Sequence, residues 1–390
     1  MGKFQDLTAL LDAFVAKGPA GCGCALAQNG KVLYEHYSGM ADVAAGRPTD
    51  ENSVYRLFSM TKVIICTAAM MLFERGRFLL DDPLHEYFPE YRNTQVRHRD
   101  VMGGAKIMDA VQPMLVKHAF AMAVGLPYPF YGTDTANDML RAGEALRAEK
   151  PKFTLRDEIR AMGQVPVAFE PGTHWLYGYG HELVAGLIEV ASGKTVGRFL
   201  EEELFAPLGM TSTGYRYHGD LRERMTQSYR REEDGSLTPI AGMLDHNHEP
   251  DAVYEGGGAG LFSTVSDYLR FSQMLANGGE LDGERIIGRK TIDLMRANQL
   301  NDQQLADFAG PGNSYLAGYG YGLGVRTMMN PAAGNSNGSV GEFGWTGAMG
   351  TWTSIDPSEG FSAVYMHQMM PNMEAYHHLR VRAAAYGCLR

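Results

Sequence analysis

Apolar residues recur at helical spacing near the start of the chain, at Leu7, Leu10, Leu11 and Phe14, and predict an amphipathic opening helix. Two short apolar runs follow, Ala25-Leu26-Ala27 and Val32-Leu33-Tyr34, on either side of Asn29-Gly30. Both residues of that pair tolerate positive φ, so the pattern predicts a hairpin closed by a two-residue turn. Residues 53–58 then lead into Ser59-Met60-Thr61-Lys62 and a run, 63–72, that is apolar on every face. A helix of that kind has no side to show to water and is expected to be buried, with Arg75-Gly76-Arg77 as its stop.

From about residue 82 to 230 strand signals thin out. Helical patterns at 154–162 and 180–192 are separated by Pro/Gly turns, which predicts a helical insert. Beyond it, Gly256-Gly257-Gly258-Ala259-Gly260 approaches a helix that Thr264 and Asp267 are spaced to cap as a capping box. Near the end, 351–355 and 361–366 are strand-like and bracket a turn at 356–360. No internal repeat appears. The expected fold is α/β (α+β): a sheet domain from both chain ends, 1–82 and 231–390, a helical insert domain, 83–230, and an active site in the cleft between them.

Composition narrows the partners. The 390 residues are 45% hydrophobic and 21% charged, which suits an ordinary globular chain with ample core. With 35 Lys+Arg against 45 Asp+Glu the formal charge is −10, which repels phosphate backbones and anionic lipid, so neither nucleic acid nor a membrane is expected as a partner. No apolar run approaches the ~18 residues of a membrane helix. The start also lacks the apolar stretch of a secretory signal, so the expected location is cytoplasmic. Four cysteines, Cys22, Cys24, Cys66 and Cys388, make no CxxC pair and suit a reduced compartment. The tightest histidine cluster, His246-Asn247-His248, lacks the i,i+4 spacing of a helical zinc site, so no metal is expected.

Three features could carry chemistry. A serine hydroxyl needs a nearby base, and Lys62, three residues after Ser59 on a helix, projects from the same face. Taken alone, a Ser-x-x-Lys match also arises by chance in a chain of this size. Tyr177, in the turn Glu170-Pro171-Gly172-Thr173-His174-Trp175-Leu176-Tyr177 that opens a helix, can aim a phenol into a cleft, and a packing role is the plainer alternative. Gly344-Trp345-Thr346-Gly347-Ala348-Met349-Gly350 precedes a strand; small residues there admit a substrate to backbone N–H groups, or simply pack closely.

In this order and spacing the pieces resemble the serine β-lactamase and penicillin-binding superfamily, particularly the class C β-lactamases and family VIII carboxylesterases. Phe58-Ser59-Met60-Thr61-Lys62 is similar to their nucleophile motif, the segment ending in Tyr177 to their tyrosine turn, residues 257–264 to their Gly-rich segment, and Trp345-Thr346-Gly347 to their Lys/His-Thr-Gly. Residues 117–127 resemble the helix and turn ahead of their cleft. The resemblance implies a β-lactamase/transpeptidase-like fold, a central antiparallel sheet flanked by helices with an inserted all-helical domain. It implies Ser59 as nucleophile, Lys62 as its activating partner, Tyr177 as shared acid/base, the N–H groups of Ser59 and Ala348 as oxyanion hole, and chemistry that requires no metal or organic cofactor.

Two departures shape the expected substrate. Tyr177-Gly178-Tyr179 stands where the family carries Tyr-x-Asn, so a side-chain amide is missing. Trp345 replaces the cation of Lys-Thr-Gly, and an indole cannot pair with the carboxylate of a β-lactam or peptidoglycan stem. Tyr179, Trp345, Thr346 and Gly347 are thus expected to line a pocket for an uncharged acyl or alcohol group. The leading expectation is a serine hydrolase cleaving small or medium carboxylic esters through an acyl-enzyme on Ser59. The same chemistry permits β-lactam or D-amino-acid amide hydrolysis, and an acyl-enzyme that is not cleared would make the domain a sensor.

Overall fold

The computed structural model describes residues 4–99, 104–310 and 313–389. The opening helix forms as Gln5–Val15, burying Leu7, Leu11 and Phe14. The hairpin follows, with strands Gly21–Gln28 and Lys31–Asp42 joined at Asn29 (φ +51°) and Gly30 (φ +77°), the paired positive φ that the Asn-Gly dipeptide accommodates. Gly21–Gln28 also pairs antiparallel with Phe361–Met366, so the two ends of the chain meet side by side. Trp352–Asp356 continues the sheet on the far side of Phe361–Met366. Short strands Phe343–Gly344, Arg326–Met328 and Tyr319–Tyr321 complete that flank, and Arg47–Pro48 closes the other edge of an eight-stranded antiparallel sheet.

Successive residues of the central strands feed two different cores, as a period of two requires. Cys22, Cys24, Leu26, Phe361, Ala363 and Tyr365 face the helices Gln5–Val15 and Glu374–Gly387, with Val381 and Ala385 among their neighbours. Ala25, Ala27, Val364 and Met366 face the larger core, which includes Val265 and Leu269 of helix Val265–Ala276. Buried on both faces, these strands read as nearly continuous apolar runs.

Between the chain ends lies the helical segment, with Leu155–Met162 and Gly180–Ser192 where the periodicity predicts them. It also carries a two-stranded hairpin, Gln95–Arg99 with Ala105–Asp109, so the inserted segment is mixed and not wholly helical. The second strand is exposed along its length, which left no apolar alternation for the sequence reading to detect. Helix Thr61–Glu74, buried from Thr61 to Leu72, packs against Gly180–Ser192 and joins the two parts. No helix among the described residues is long and apolar enough to cross a membrane.

His248, from the histidine cluster noted in the sequence, is 1% exposed and sits edge-on to the rings of Tyr217 and Phe262. Its Nδ1 lies 3.0 Å from the Tyr215 carbonyl oxygen, and burial holds its pKa down to about 4. The unfolded chain takes up that proton near pH 6.5, whereas the folded chain refuses it until about pH 4. The ring is therefore neutral to stability above pH 6.5 and a growing liability as pH falls below it. His248→Asn keeps a donor for Tyr215 and removes the titration. In urea unfolding between pH 7.5 and 4.5, the variant is expected to gain on the parent by about 1.4 kcal/mol per unit below pH 6.5; a pH-independent difference would refute this account.

Candidate active site

Phe58–Met60 makes one tight turn that runs directly into helix Thr61–Glu74. Phe58 has φ +46°, a region a side chain occupies only when its surroundings hold it there. Four hydrogen bonds do so. Leu57 N donates to Leu261 O (2.9 Å), Thr351 Oγ1 donates to Leu57 O (3.0 Å), Leu261 N donates to Thr61 Oγ1 (3.1 Å) and Tyr268 OH donates to Met60 O (2.9 Å). The Gly-rich segment and the sheet edge thus grip the serine turn from both sides.

Lys62 is fully buried. Its ammonium donates to Gly258 O at 2.6 Å, Tyr128 OH at 3.1 Å and Ser59 Oγ at 3.3 Å, one acceptor for each of its three N–H bonds. It also lies 4.8 Å from the centroid of the Tyr177 ring, within cation–π range. Sequence reasoning placed Lys62 correctly beside Ser59 but did not anticipate the second tyrosine. Tyr128 immediately follows Pro127, the end of a segment already singled out, and nothing in its own spacing marks it. Burial and the nearby Glu182 charge push the Tyr128 phenol up, so it stays protonated.

The tyrosine turn is laced to residues 122–126. Leu176 N donates to Met122 O (2.9 Å), Gly172 N to Ala123 O (2.9 Å) and Tyr179 N to Leu126 O (3.0 Å). Trp175 packs edge-on to Phe308 and Tyr321 beneath it. Tyr177 presents its ring face to the Lys62 ammonium, while its hydroxyl accepts a hydrogen bond from Trp345 Nε1 at 3.0 Å. The two rings stack with centroids 5.6 Å apart. Trp345 therefore does more than vacate a cation's position, because its N–H supplies a donor to the phenol oxygen.

The third feature doubles back on itself. Gly347 N donates to Thr351 O (2.7 Å) and Gly350 N to Gly347 O (3.0 Å), which leaves Ala348 at the exposed tip of the turn. Thr346 Oγ1 donates to Glu374 Oε2 at 3.0 Å. Ser59, Tyr177, Tyr179, Trp345, Thr346, Gly347 and Ala348 all line one cavity of about 1140 Å³, together with Tyr128, Glu158, Glu182 and Glu374. The three carboxyls were missed. Glu182 had a signal, a lone acid within the apolar helix pattern at 181–188; Glu158 and Glu374 stood among other polar residues and had none.

Glu182 stands in the first turn of helix Gly180–Ser192 and accepts from Gly258 N at 3.0 Å, which orients the peptide whose carbonyl receives Lys62. Burial pushes its carboxyl up, partly offset by the Lys62 charge. The arrangement can deprotonate a hydroxyl, take up and return a proton, and admit an uncharged carbonyl compound to Ser59.

A family model described as Beta-lactamase matches residues 7–387. Protein Rv1367c of Mycobacterium tuberculosis is 29% identical over 351 residues, covering 89% of this chain and 85% of that protein. Esterase EstB of Burkholderia gladioli is 26% identical over 357 residues, covering 87% of this chain and 84% of its own length. Among solved structures, EstCE1, described as a hydrolase with promiscuous acyltransferase activity, superposes with a TM-score of 0.82 at 22% identity and 98% coverage of both chains.

A Cβ on Gly347 would lie 2.3 Å from Leu57 O and 2.1 Å from Thr351 Oγ1, the pair that ties the serine turn to the sheet edge. Gly347→Ala must push these apart. It is expected to cost about 1–3 kcal/mol in urea unfolding and to lower ester turnover in step; an unchanged midpoint and rate would show that the turn is not held here.

Proposed function

We propose that this protein, which belongs to the Beta-lactamase family and is a serine hydrolase of that fold, cleaves carboxylic esters through an acyl-enzyme on Ser59. The observation that carries the reading is the buried Lys62 ammonium 3.3 Å from Ser59 Oγ, on a cavity where Trp345 and Glu374 offer no cation to a substrate carboxylate. An esterase among the relatives and a hydrolase with acyltransferase activity among the structural neighbours support it.

In this mechanism the pair enters with Tyr177 as phenolate beside the Lys62 ammonium; Ser59 Oγ attacks the ester carbonyl, and its proton passes to the Tyr177 oxygen. The carbonyl oxygen gains the electron pair and is held by the N–H groups of Ser59 and Ala348. Collapse expels the alcohol, which leaves with the proton that Tyr177 returns. Water then attacks the acyl carbonyl, gives its proton to the same pair, and releases the acid and free Ser59. Trp345 Nε1 contributes by donating to the Tyr177 oxygen, where negative charge collects when the phenol is deprotonated. Tyr128, held protonated, receives Lys62 and keeps the ammonium turned toward Ser59. β-Lactams and D-peptides present a carboxylate to this part of the cavity, and Glu374 repels it.

The test is turnover of p-nitrophenyl butyrate. Ser59→Ala is expected to lose about a thousandfold or more in kcat, and Lys62→Met and Tyr177→Phe about 10²–10⁴-fold each. Nitrocefin and D-alanyl peptides are expected to react at least about a hundredfold more slowly in kcat/KM than the ester, about 2.7 kcal/mol of discrimination. Equal ester hydrolysis by parent and Ser59→Ala would remove the reading, and faster lactam than ester turnover would reverse it.

A further inference from the structure

The cavity that holds Ser59 also holds two carboxyls that ester cleavage does not require at the reacting carbonyl. Glu158, on helix Leu155–Met162, accepts a hydrogen bond from Tyr254 OH. Burial and the neighbouring Glu182 charge push it up to about 7. Glu182 is 4% exposed; its Oε1 receives Gly258 N, but its Oε2 has no hydrogen-bond partner among the described residues. Native interiors seldom leave a buried carboxylate oxygen unmatched, and Glu182 is one of the residues that line the cavity. Aromatic rings line the same region. Tyr128 and Tyr179 meet with centroids 5.0 Å apart, and Tyr254 stands edge-on to Phe153 at 5.3 Å.

Two of the three nearby cations are already engaged: all three Lys62 N–H bonds are occupied and Lys152 pairs with Asp251 at 2.5 Å. The third, Arg147 on helix Asp134–Glu149, is exposed and lines the cavity on the Glu158 side, where its charge acts on Glu158. A buried carboxyl, a half-buried one and the π-faces of several tyrosines form the environment that recognises an ammonium group, by charge and by cation–π attraction together. A neutral ester occupying the cavity would leave the Glu182 carboxylate without a counter-charge on this side, whereas a quaternary ammonium would supply the charge and a primary one would also donate a hydrogen bond.

We propose that Glu158, Glu182 and the tyrosines Tyr128, Tyr179 and Tyr254 form a subsite for an ammonium group, so that the preferred substrates are esters carrying a quaternary or primary amine. This rests on the ester-hydrolase reading above and adds a substrate class to it. The ammonium sits in the subsite while the ester carbonyl reaches Ser59, and no covalent step differs from that of a neutral ester.

The experiment compares isosteric pairs that differ only in charge. One pair varies the acyl group, the p-nitrophenyl esters of 4-(trimethylammonio)butyric acid and 5,5-dimethylhexanoic acid. The other varies the alcohol, butyrylcholine and 3,3-dimethylbutyl butyrate. The parent enzyme is expected to favour the cationic member of at least one pair by about tenfold or more in kcat/KM. In Glu158→Gln and in Glu182→Gln that ratio is expected to fall toward one. Because each ratio is taken within one preparation, a variant that is partly misfolded or slowed through Lys62 still reports it. A parent ratio at or below one in both pairs, or a ratio unchanged in both variants, overturns the subsite and leaves ester hydrolysis standing. If no ester is turned over, the hydrolase reading falls and binding decides the subsite. Calorimetric titration should then show choline binding the parent at least about tenfold more tightly than 3,3-dimethylbutan-1-ol and losing that advantage in Glu182→Gln; equal affinities overturn it.

Discussion

An ammonium removed from water demands acceptors, and at Lys62 three of them converge on a side chain with no exposed surface. Each acceptor comes from a different part of the chain. Ser59 lies one helical turn away, Tyr128 follows the segment ahead of the tyrosine turn, and Gly258 belongs to the Gly-rich approach. The site is therefore stable only when sheet, nucleophile helix and helical segment are assembled together. Displacing any acceptor leaves a buried charge under-matched, a far larger penalty than the loss of an exposed hydrogen bond.

The same constraint runs outward into the scaffold. Gly258 presents its carbonyl to Lys62 because its N–H is fixed by Glu182, and Glu182 is fixed by the first turn of Gly180–Ser192. Leu261 in the same segment holds Leu57 and Thr61 on either side of Ser59. The positive φ of Phe58 is tolerated because those bonds determine the turn more strongly than Phe58 resists it. On the other side, Trp345 binds the Tyr177 oxygen and Glu374, at the start of helix Glu374–Gly387, receives the Thr346 hydroxyl, so this wall of the cavity presents an indole and a carboxylate.

Much of the fold could be read from local pattern. Asn29-Gly30, the all-apolar run at 63–72 and the turn at 356–360 appear where sequence alone puts them, because each depends on interactions between near neighbours. The capping signal at Thr264 was half correct. Thr264 does accept from Asp267 N, but the Asp267 carboxylate turns away to Ser212 N at 2.7 Å and Thr213 Oγ1 at 3.0 Å, partners more than fifty residues distant. The strand pair 95–99 and 105–109 has no such local signal, since its exposed strand lacks the alternation that marks a half-buried one.

What the chain decides locally is the pairing of Ser59 with Lys62, because three residues on a helix set the spacing of their side chains whatever else folds around them. The indole in place of a cation at position 345 is likewise written in the sequence. Tertiary structure alone decides that Tyr128 and Gly258 complete the lysine's acceptors, that Tyr177 is paired with Trp345, and that Glu158, Glu182 and Glu374 share the cavity. Those groups lie tens to hundreds of residues apart, and no periodicity links them. Only the closing of the chain ends into one sheet, with the helical segment packed against the nucleophile helix, brings them around one cavity.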